Sequence, residues 1–122
     1  MNAINWFEIP AANFKRAVAF YEQILAAKLP IEDSFPGMKM AMFPYQEPGI
    51  GGCVIEFDQT RPHADGVRIY LNGGDDLAAI LDRVEAAGGK VVVPKTLIRE
   101  DVGYMGLFSD IEGNIVGLHS MG

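Results

Sequence analysis

Two helix-forming segments of similar pattern begin 63 residues apart, about half the length of the 122-residue chain. The first follows Asn13, a good N-cap, repeats apolar side chains at spacings of three and four, and ends near Lys28. The second follows Asp75 or Asp76 and stops at a pair of glycines at 88–89, a usual C-terminal signal. This spacing predicts an internal duplication in which each half contributes one helix.

Short apolar segments between proline-rich and glycine-rich breaks predict the strands. They cover residues 4–9, 38–43 and 52–57 in the first half, and 67–71, 90–93, 103–109 and 115–120 in the second. We therefore predict an α+β fold, with one domain over residues 1–122 and two modules at about 1–60 and 64–122. Each module is too small to bury both faces of its sheet, so its helix is expected to cover one face.

Composition and charge exclude several classes of function. The net charge of -6 and the sequence pI of about 4.7 argue against affinity for nucleic acid, which needs clustered cations. The apolar runs are shorter than the ~20 residues that span a bilayer, and the N-terminus lacks the pattern of a secretory signal. Cys53 is the single cysteine, so no internal disulfide can form. We expect a soluble, cytoplasmic protein that binds neither nucleic acid nor membranes.

Alternation of side chains along the strands predicts which residues face away from the helices. In the first strand Phe7 and Ile9 suit the helix side, which leaves Trp6 and the lone carboxylate Glu8 on the other face. The full set predicted on the helix side is Phe7, Ile9, Cys53, Ile55, Phe57, Val67, Ile69, Leu71, Val116 and Leu118. The set predicted on the opposite side is Trp6, Glu8, Val54, Glu56, Arg68, Tyr70, Gly117 and His119. Each strand thus offers polar groups to one concave surface.

Three segments carry a resemblance to a known family: FEIPAANFKRAVAFYEQIL, DDLAAILDRVEAAGGKVVVPK and GYMGLFSDIEGNIVGLHS. In their order and spacing they resemble the glyoxalase, bleomycin-resistance and extradiol-dioxygenase superfamily, also called the vicinal oxygen chelate fold. The resemblance implies two βαβββ modules that form a cup-shaped, curved mixed sheet, with helices on the outer face and a ligand or divalent metal inside. Function varies widely within that family, so the fold alone does not decide it.

The resemblance also implies four metal-ligand positions, occupied in relatives by His or Gln, Glu, His and Glu. The corresponding positions are Trp6, Glu56, Arg68 or Ile69, and Gly117. Only Glu56 matches, and the guanidinium of Arg68 would repel a divalent cation. We therefore expect no metal and no other cofactor. The alternative is an unconventional divalent-metal site formed by Glu8, Glu56 and His119.

Two functions remain open from the sequence. The first is a metal-free small-molecule-binding protein like the bleomycin-resistance proteins, for which the resemblance implies a homodimer. Its predicted ligand-binding residues are Trp6, Glu8, Glu56, Arg68, Tyr70 and His119, which suit a cationic or aromatic ligand. The second is a glyoxalase-type or lyase-type enzyme acting on a small oxygenated substrate. In that enzyme Glu56 or Glu8 would be the general base, and Arg68 would hold a carboxylate or stabilise an enolate.

Several of these residues also have purely structural interpretations. Arg68 with Glu56 or Glu8 would make an ion pair at the floor of the cup. His119 is as consistent with a hydrogen-bonding role as with a functional one. The methionines at 38, 40 and 42 suit either core packing or an adaptable pocket wall.

Overall fold

A computed structural model describes residues 2–122, and it contains two helices and eight strands. The first half consists of β1 (Trp6–Pro10), α1 (Phe14–Leu25), β2 (Ile31–Glu32), β3 (Lys39–Met42) and β4 (Gly51–Glu56). The second half consists of β5 (Tyr70–Asn72), α2 (Ala78–Val84), β6 (Lys90–Arg99), β7 (Gly103–Ser109) and β8 (Ile115–Ser120). The predicted α+β class and the two βαβββ modules are confirmed.

Helix α1 begins where the sequence predicts. Asn13 has an extended backbone, and its side-chain oxygen accepts a hydrogen bond from the Arg16 N–H at 3.1 Å. The helix ends at Ala26, which adopts a left-handed conformation with φ of 52°. Its buried side chains are Ala17, Val18, Phe20, Tyr21 and Ile24, which form the apolar stripe seen in the sequence.

Several elements differ from the prediction. The strand predicted over residues 67–71 covers only Tyr70–Asn72, and α1 ends at Leu25 instead of near Lys28. Helix α2 ends at Val84, before the predicted stop at 88–89, because the backbone continues in tight turns that bond the Ala87 N–H to two carbonyls. Strand β6 continues past Pro94, which an edge strand tolerates because it has an unpaired side. The two-residue strand β2 was not predicted. Within residues 2–122, neither helix is long and apolar enough to cross a membrane.

Each module forms its own four-stranded sheet. The strand orders are β1-β4-β3-β2 and β5-β8-β7-β6. In both, the first strand runs parallel to the last strand of its module, and the remaining neighbours are antiparallel. No strand pairing joins the two sheets in the part of the chain that the structure describes. The cup inferred from the resemblance therefore stays a prediction.

One apolar core joins the two modules through their helices. It includes Ile9 and Val54 of the first sheet, Ile80 of α2 and Val116 of the second sheet. The Phe108 ring of β7 lies 6.0 Å from the Phe20 ring and 6.3 Å from the Tyr21 ring of α1, measured between centroids. Helix α1 therefore packs against both sheets, and burial of this shared surface stabilises both modules together.

A carboxylate from the β7–β8 turn closes the junction between the modules. Glu112 accepts hydrogen bonds from the backbone N–H groups of Ala12 and Asn13, the second at 2.8 Å, and pairs with the Arg16 guanidinium. The Glu112 side chain is 1% exposed and that of Arg16 is 48% exposed. Burial alone would raise the pKa of Glu112. The Asn13, Arg16 and Ala12 donors outweigh that effect and hold the pKa below its usual 4.5.

A buried polar network anchors the same turn. The Tyr21 hydroxyl donates to Asp110 at 2.7 Å, and the Asn114 amide donates to the carbonyl of Pro10 at 2.8 Å. Burial, together with the negative charge and hydrogen bond of Asp110, raises the pKa of Tyr21 well above 10.0. The β7–β8 turn is thus tied to both α1 and β1.

Candidate functional site

The first sheet has two different faces. Ile9, Ala41 and Val54 belong to the core that it shares with the helices. On the opposite side, Met40, Cys53 and Ile55 form a separate apolar cluster, against which Met38, Met42 and Phe57 pack. We call this second side the open face of the first sheet. It contains Trp6, Glu8, Glu32, Met38, Met40, Met42, Tyr45, Cys53, Ile55 and Phe57.

The orientation predicted for β4 is wrong. Val54, not Cys53 or Ile55, lies in the core shared with the helices. Both faces of this strand are apolar, so alternation separates them without deciding which one meets a helix. Glu56 turns instead toward the start of α1.

Trp6 and Glu8 lie on the open face, as alternation predicts for β1. Glu8 is in register with Cys53, and register partners in neighbouring strands point to the same side. Burial, reinforced by the negative charge of Glu8, raises the pKa of the Cys53 thiol to about 12. That thiol is therefore un-ionised near neutral pH and is a poor nucleophile. Glu8 is exposed, and Trp6 is 40% exposed.

Two further residues of the open face were missed in the sequence. A Cβ atom added at Gly51 would lie 2.6 Å from the Tyr45 ring, so this ring lies directly against the backbone of β4. Gly51 is also the register partner of Trp6, which places both aromatic residues at one end of the face. Glu32 is in register with Met40 and adds a second carboxylate beyond the methionines. The adjacent glycines at 51–52 were the available signal, since glycine permits such close approach.

Glu56 is occupied with a structural task. One carboxylate oxygen accepts a hydrogen bond from the Phe14 N–H at 2.8 Å, and the other lies 3.5 Å from Lys39 Nζ. The second module repeats the arrangement with a shorter side chain, because Ser120 Oγ accepts from the Leu77 N–H at 2.9 Å. Glu56 therefore satisfies an otherwise free amide at the start of α1. It does not lie on the same face as Glu8.

Tyr70 and His119 lie on the side of the second sheet away from the helices, as predicted. A Cβ atom added at Gly117, the register partner of Tyr70, would lie 2.4 Å from the Tyr70 ring. His119 Nε2 lies 2.6 Å from the carbonyl oxygen of Val102. Tyr70 and His119 share a shallow cavity of about 670 Å³ with Asn72.

Arg68 lies in the segment just before β5 and lines a different cavity, of about 1000 Å³, between the modules. Among the described residues it makes no ion pair with Glu8 or Glu56, so the structural pair considered above is absent. Glu8 lines a third cavity, of about 180 Å³, and Glu56 a fourth, of about 630 Å³. None of these four cavities contains more than two of the six predicted ligand-binding residues.

The side chains do not fit the divalent metal that the family implies. Across residues 2–122, no group of three or more His, Cys, Asp and Glu side chains is arranged to hold a metal ion. At the implied positions, Trp6, Arg68 and Gly117 offer no suitable donor atom. Glu56 is engaged with the Phe14 N–H. The alternative set of Glu8, Glu56 and His119 is divided among separate cavities.

Comparison with known proteins identifies the family. The sequence profile of the Glyoxalase/Bleomycin resistance protein/Dioxygenase superfamily matches residues 3–118. The chain belongs to this superfamily. A glyoxylase-like domain-containing protein from Didymella fabae is 30% identical over 118 residues, which cover 91% of this chain and 88% of that protein. The resemblance seen in the sequence is confirmed.

Solved structures of the superfamily share the fold at low identity. TnmS3, an antibiotic binding protein from Streptomyces sp. CB03234, matches with a TM-score of 0.72 at 21% identity, covering 98% of this chain and 96% of that one. A glyoxalase I mutant from Zea mays matches with a TM-score of 0.73 at 19% identity, covering 96% of this chain and 46% of that one. FosX, a fosfomycin resistance protein from Listeria monocytogenes, matches with a TM-score of 0.64 at 16% identity, covering 98% of this chain and 91% of that one. At this level of identity the similarity shows the fold only, and the function has to be argued from the residues of the site.

Proposed function

We propose that this superfamily member binds a cationic or aromatic small molecule, non-covalently and without a metal, on the open face of the first sheet. The observation that carries the proposal is the combination of side chains on that face. Trp6 of β1 and Tyr45 lie at one end of the face. Glu8 is two residues further along β1, and the methionines of β3 lie on the other side of β4. Glu32 lies beyond the methionines.

Each component contributes to recognition of such a ligand. An aromatic face attracts a cation through its quadrupole, by about 0.5–2 kcal/mol, and stacks on planar rings. Glu8 and Glu32 supply negative charge at opposite edges of the face. The thioethers of Met38, Met40 and Met42 are flexible and polarisable, so they adapt to ligands of varied shape.

The position of Glu56 supports binding rather than acid–base chemistry. A general base must be free to reach the proton that it removes. Glu56 already accepts a hydrogen bond from the Phe14 N–H and faces Lys39. Of the two predicted bases, only Glu8 lies on the open face, and its register partner Cys53 carries an un-ionised thiol. The fold of the antibiotic binding protein TnmS3 is consistent with this choice.

We further propose a cytoplasmic homodimer. The free, buried thiol of Cys53 is compatible with a reducing compartment. The edge strand β6 exposes about half of each of Val92, Leu97 and Ile98. Such an edge favours association with another chain, and a second copy would cover it.

Calorimetric titration with benzyltrimethylammonium tests the binding site. Trp6→Ala should weaken its binding about tenfold, the value of one desolvated cation–π contact. Glu8→Gln should weaken it several-fold, whereas Glu85→Gln, which removes an exposed carboxylate after α2, should leave it unchanged. Neopentylbenzene, the uncharged isostere, should bind more weakly than the cation.

Two results would contradict the proposal. If Tyr70→Ala weakens binding as much as Trp6→Ala does, the site is not on the first sheet. Elemental analysis that finds one metal ion per purified chain, lost in Glu8→Gln, would overturn the metal-free assignment.

A further inference from the structure

The cavity of about 1000 Å³ between the modules is separate from the open face. Phe7, Phe43, Leu71 and Ile80, which belong to or pack against the shared core, line its helix side. It extends to the edge strand β5, where Tyr70 and Asn72 also line it. Its walls come from both modules and from both helices. The volume is at the upper end of that typical for small-molecule sites, which are mostly apolar with a few placed polar groups.

Two guanidinium groups line this apolar cavity. Arg83 is half-buried, and its Nε donates to the Ile24 carbonyl at 2.8 Å, which holds the side chain in place. Arg68 is exposed. Among residues 2–122, the two terminal guanidinium nitrogens of Arg83 and all three guanidinium nitrogens of Arg68 have no hydrogen-bond or ion-pair partner. Both groups are therefore available to a ligand that enters the cavity.

Two carboxylates also line the cavity, at its exposed rim. Asp76 is neutralised by Lys95, whose Nζ lies 2.9 Å away, and also accepts from the Ala78 N–H. Asp75 is exposed to solvent. Neither carboxylate is paired with Arg68 or Arg83, so the cations inside the cavity are not cancelled by the protein itself.

The internal duplication indicates what the cavity lacks. In the corresponding place in the other half, the β7–β8 turn inserts Glu112 against the start of α1 and pairs it with Arg16. The β3–β4 loop, residues 43–50, is the counterpart of that turn. Within the described chain it makes no hydrogen bond to α2 or to residues 75–77. One junction is thus closed by a carboxylate on a guanidinium, and its counterpart is an open cavity with guanidinium groups on its wall.

We propose that the cavity between the modules binds a small amphipathic carboxylate, with its apolar part among Phe7, Phe43 and Ile80 and its carboxylate on Arg68 and Arg83. Planar guanidinium groups bind carboxylates through paired hydrogen bonds, which gives orientation as well as affinity. This ligand class is opposite in charge to the one proposed for the open face, so the two sites are independent.

Titration with decanoate, decanol and decylammonium tests the proposal on the full chain. Decanoate should bind at least tenfold more tightly than the other two, because only it can pair with the arginines. Arg68→Met and Arg83→Lys should each weaken decanoate binding about tenfold, the first by removing charge and the second by removing the planar fork. Arg99→Met, at an exposed arginine of β6, should leave it unchanged.

A second pair of variants tests the location. Ala79→Phe places a ring into the cavity from α2 and should abolish decanoate binding, whereas Ala19→Phe, at an exposed position of α1 outside the cavity, should not. Circular dichroism melting of each variant checks that the fold is kept. Equal binding of decanol and decanoate, or full decanoate binding by Ala79→Phe, would overturn the proposal. So would a change from dimer to monomer in Ala79→Phe, since a second copy would then occupy the cavity. Trp6→Ala should bind decanoate normally, which separates this site from the proposed function.

Discussion

Replacing Glu112 tests how the two modules are held together. Its carboxylate accepts hydrogen bonds from the N–H groups of Ala12 and Asn13 and forms an ion pair with Arg16. The Glu112 side chain is almost fully buried. Glu112→Gln keeps one oxygen for the backbone donors. It removes the charge and places the amide NH2, which accepts no hydrogen bond, against the Arg16 guanidinium.

The expected loss follows from these contacts. The ion pair with half-exposed Arg16 is worth about 1 kcal/mol, near the upper end for surface pairs. Loss of charge on the acceptor weakens the Asn13 hydrogen bond by about another 1 kcal/mol. We therefore expect Glu112→Gln to lower the free energy of unfolding by about 2 kcal/mol, and Glu112→Ala by about 3–4 kcal/mol because both backbone donors lose their acceptor.

The same contacts predict a pH dependence. The pKa of Glu112 is lowered in the folded state, so its contribution is fully present above the unfolded value of 4.5. The contribution is lost as the pH falls through the lower folded-state pKa. The stability difference between wild type and Glu112→Gln should therefore shrink in acid.

Urea denaturation at several pH values measures this difference. Asp101→Asn is the matched control, because Asp101 and its partner Arg99 are each 70% exposed and their pair should contribute under 1 kcal/mol. If Glu112→Gln costs no more than Asp101→Asn at pH 7, the junction does not stabilise the fold. A difference that stays constant far below pH 4.5 would refute the assignment of the effect to the carboxylate.

Three further predictions concern packing and assembly. Glu56→Ala should lower the free energy of unfolding by about 1–2 kcal/mol in urea titration, since it exposes the Phe14 N–H. If Glu56→Ala abolishes ligand binding but leaves the free energy of unfolding unchanged, Glu56 belongs to the binding site instead. Gly52→Ala should destabilise by about 1–3 kcal/mol, because the new Cβ would lie 2.3 Å from the Phe7 ring, whereas Gly66→Ala should be neutral in the same assay. Light scattering at micromolar concentration should report a dimer, and a monomer would contradict the proposed assembly.

The local part of the fold could be predicted from the sequence. The cap at Asn13 and the apolar stripe of α1 depend on neighbours within a few residues, and both are found as expected. Strands β7 and β8 also have the predicted bounds. Periodicity of this kind is decided by short-range geometry.

The arrangement of the site could not be predicted in the same way. Alternation separates two faces of β4 but does not tell which one meets a helix when both are apolar. Alternation and the resemblance both place Glu56 in the cup, although its partner, the Phe14 N–H, lies on another element. The role of Tyr45 depends on a contact with Gly51 across a loop, which no spacing in the sequence encodes.

The strand order also determines when each half can fold during synthesis. β1 pairs with β4, so the first sheet is complete once the ribosome has released Glu56. β5 must wait for β8, an internal strand of the second sheet, and loop closure over that distance has an entropic cost. Until then Phe20 and Tyr21 of α1 lack their partner Phe108. Tyr21 already packs on Phe43 of the first module, so the nascent chain carries an incompletely covered apolar face of α1 through half of its translation. We expect this stage to be the one at which the chain depends most on protection from aggregation.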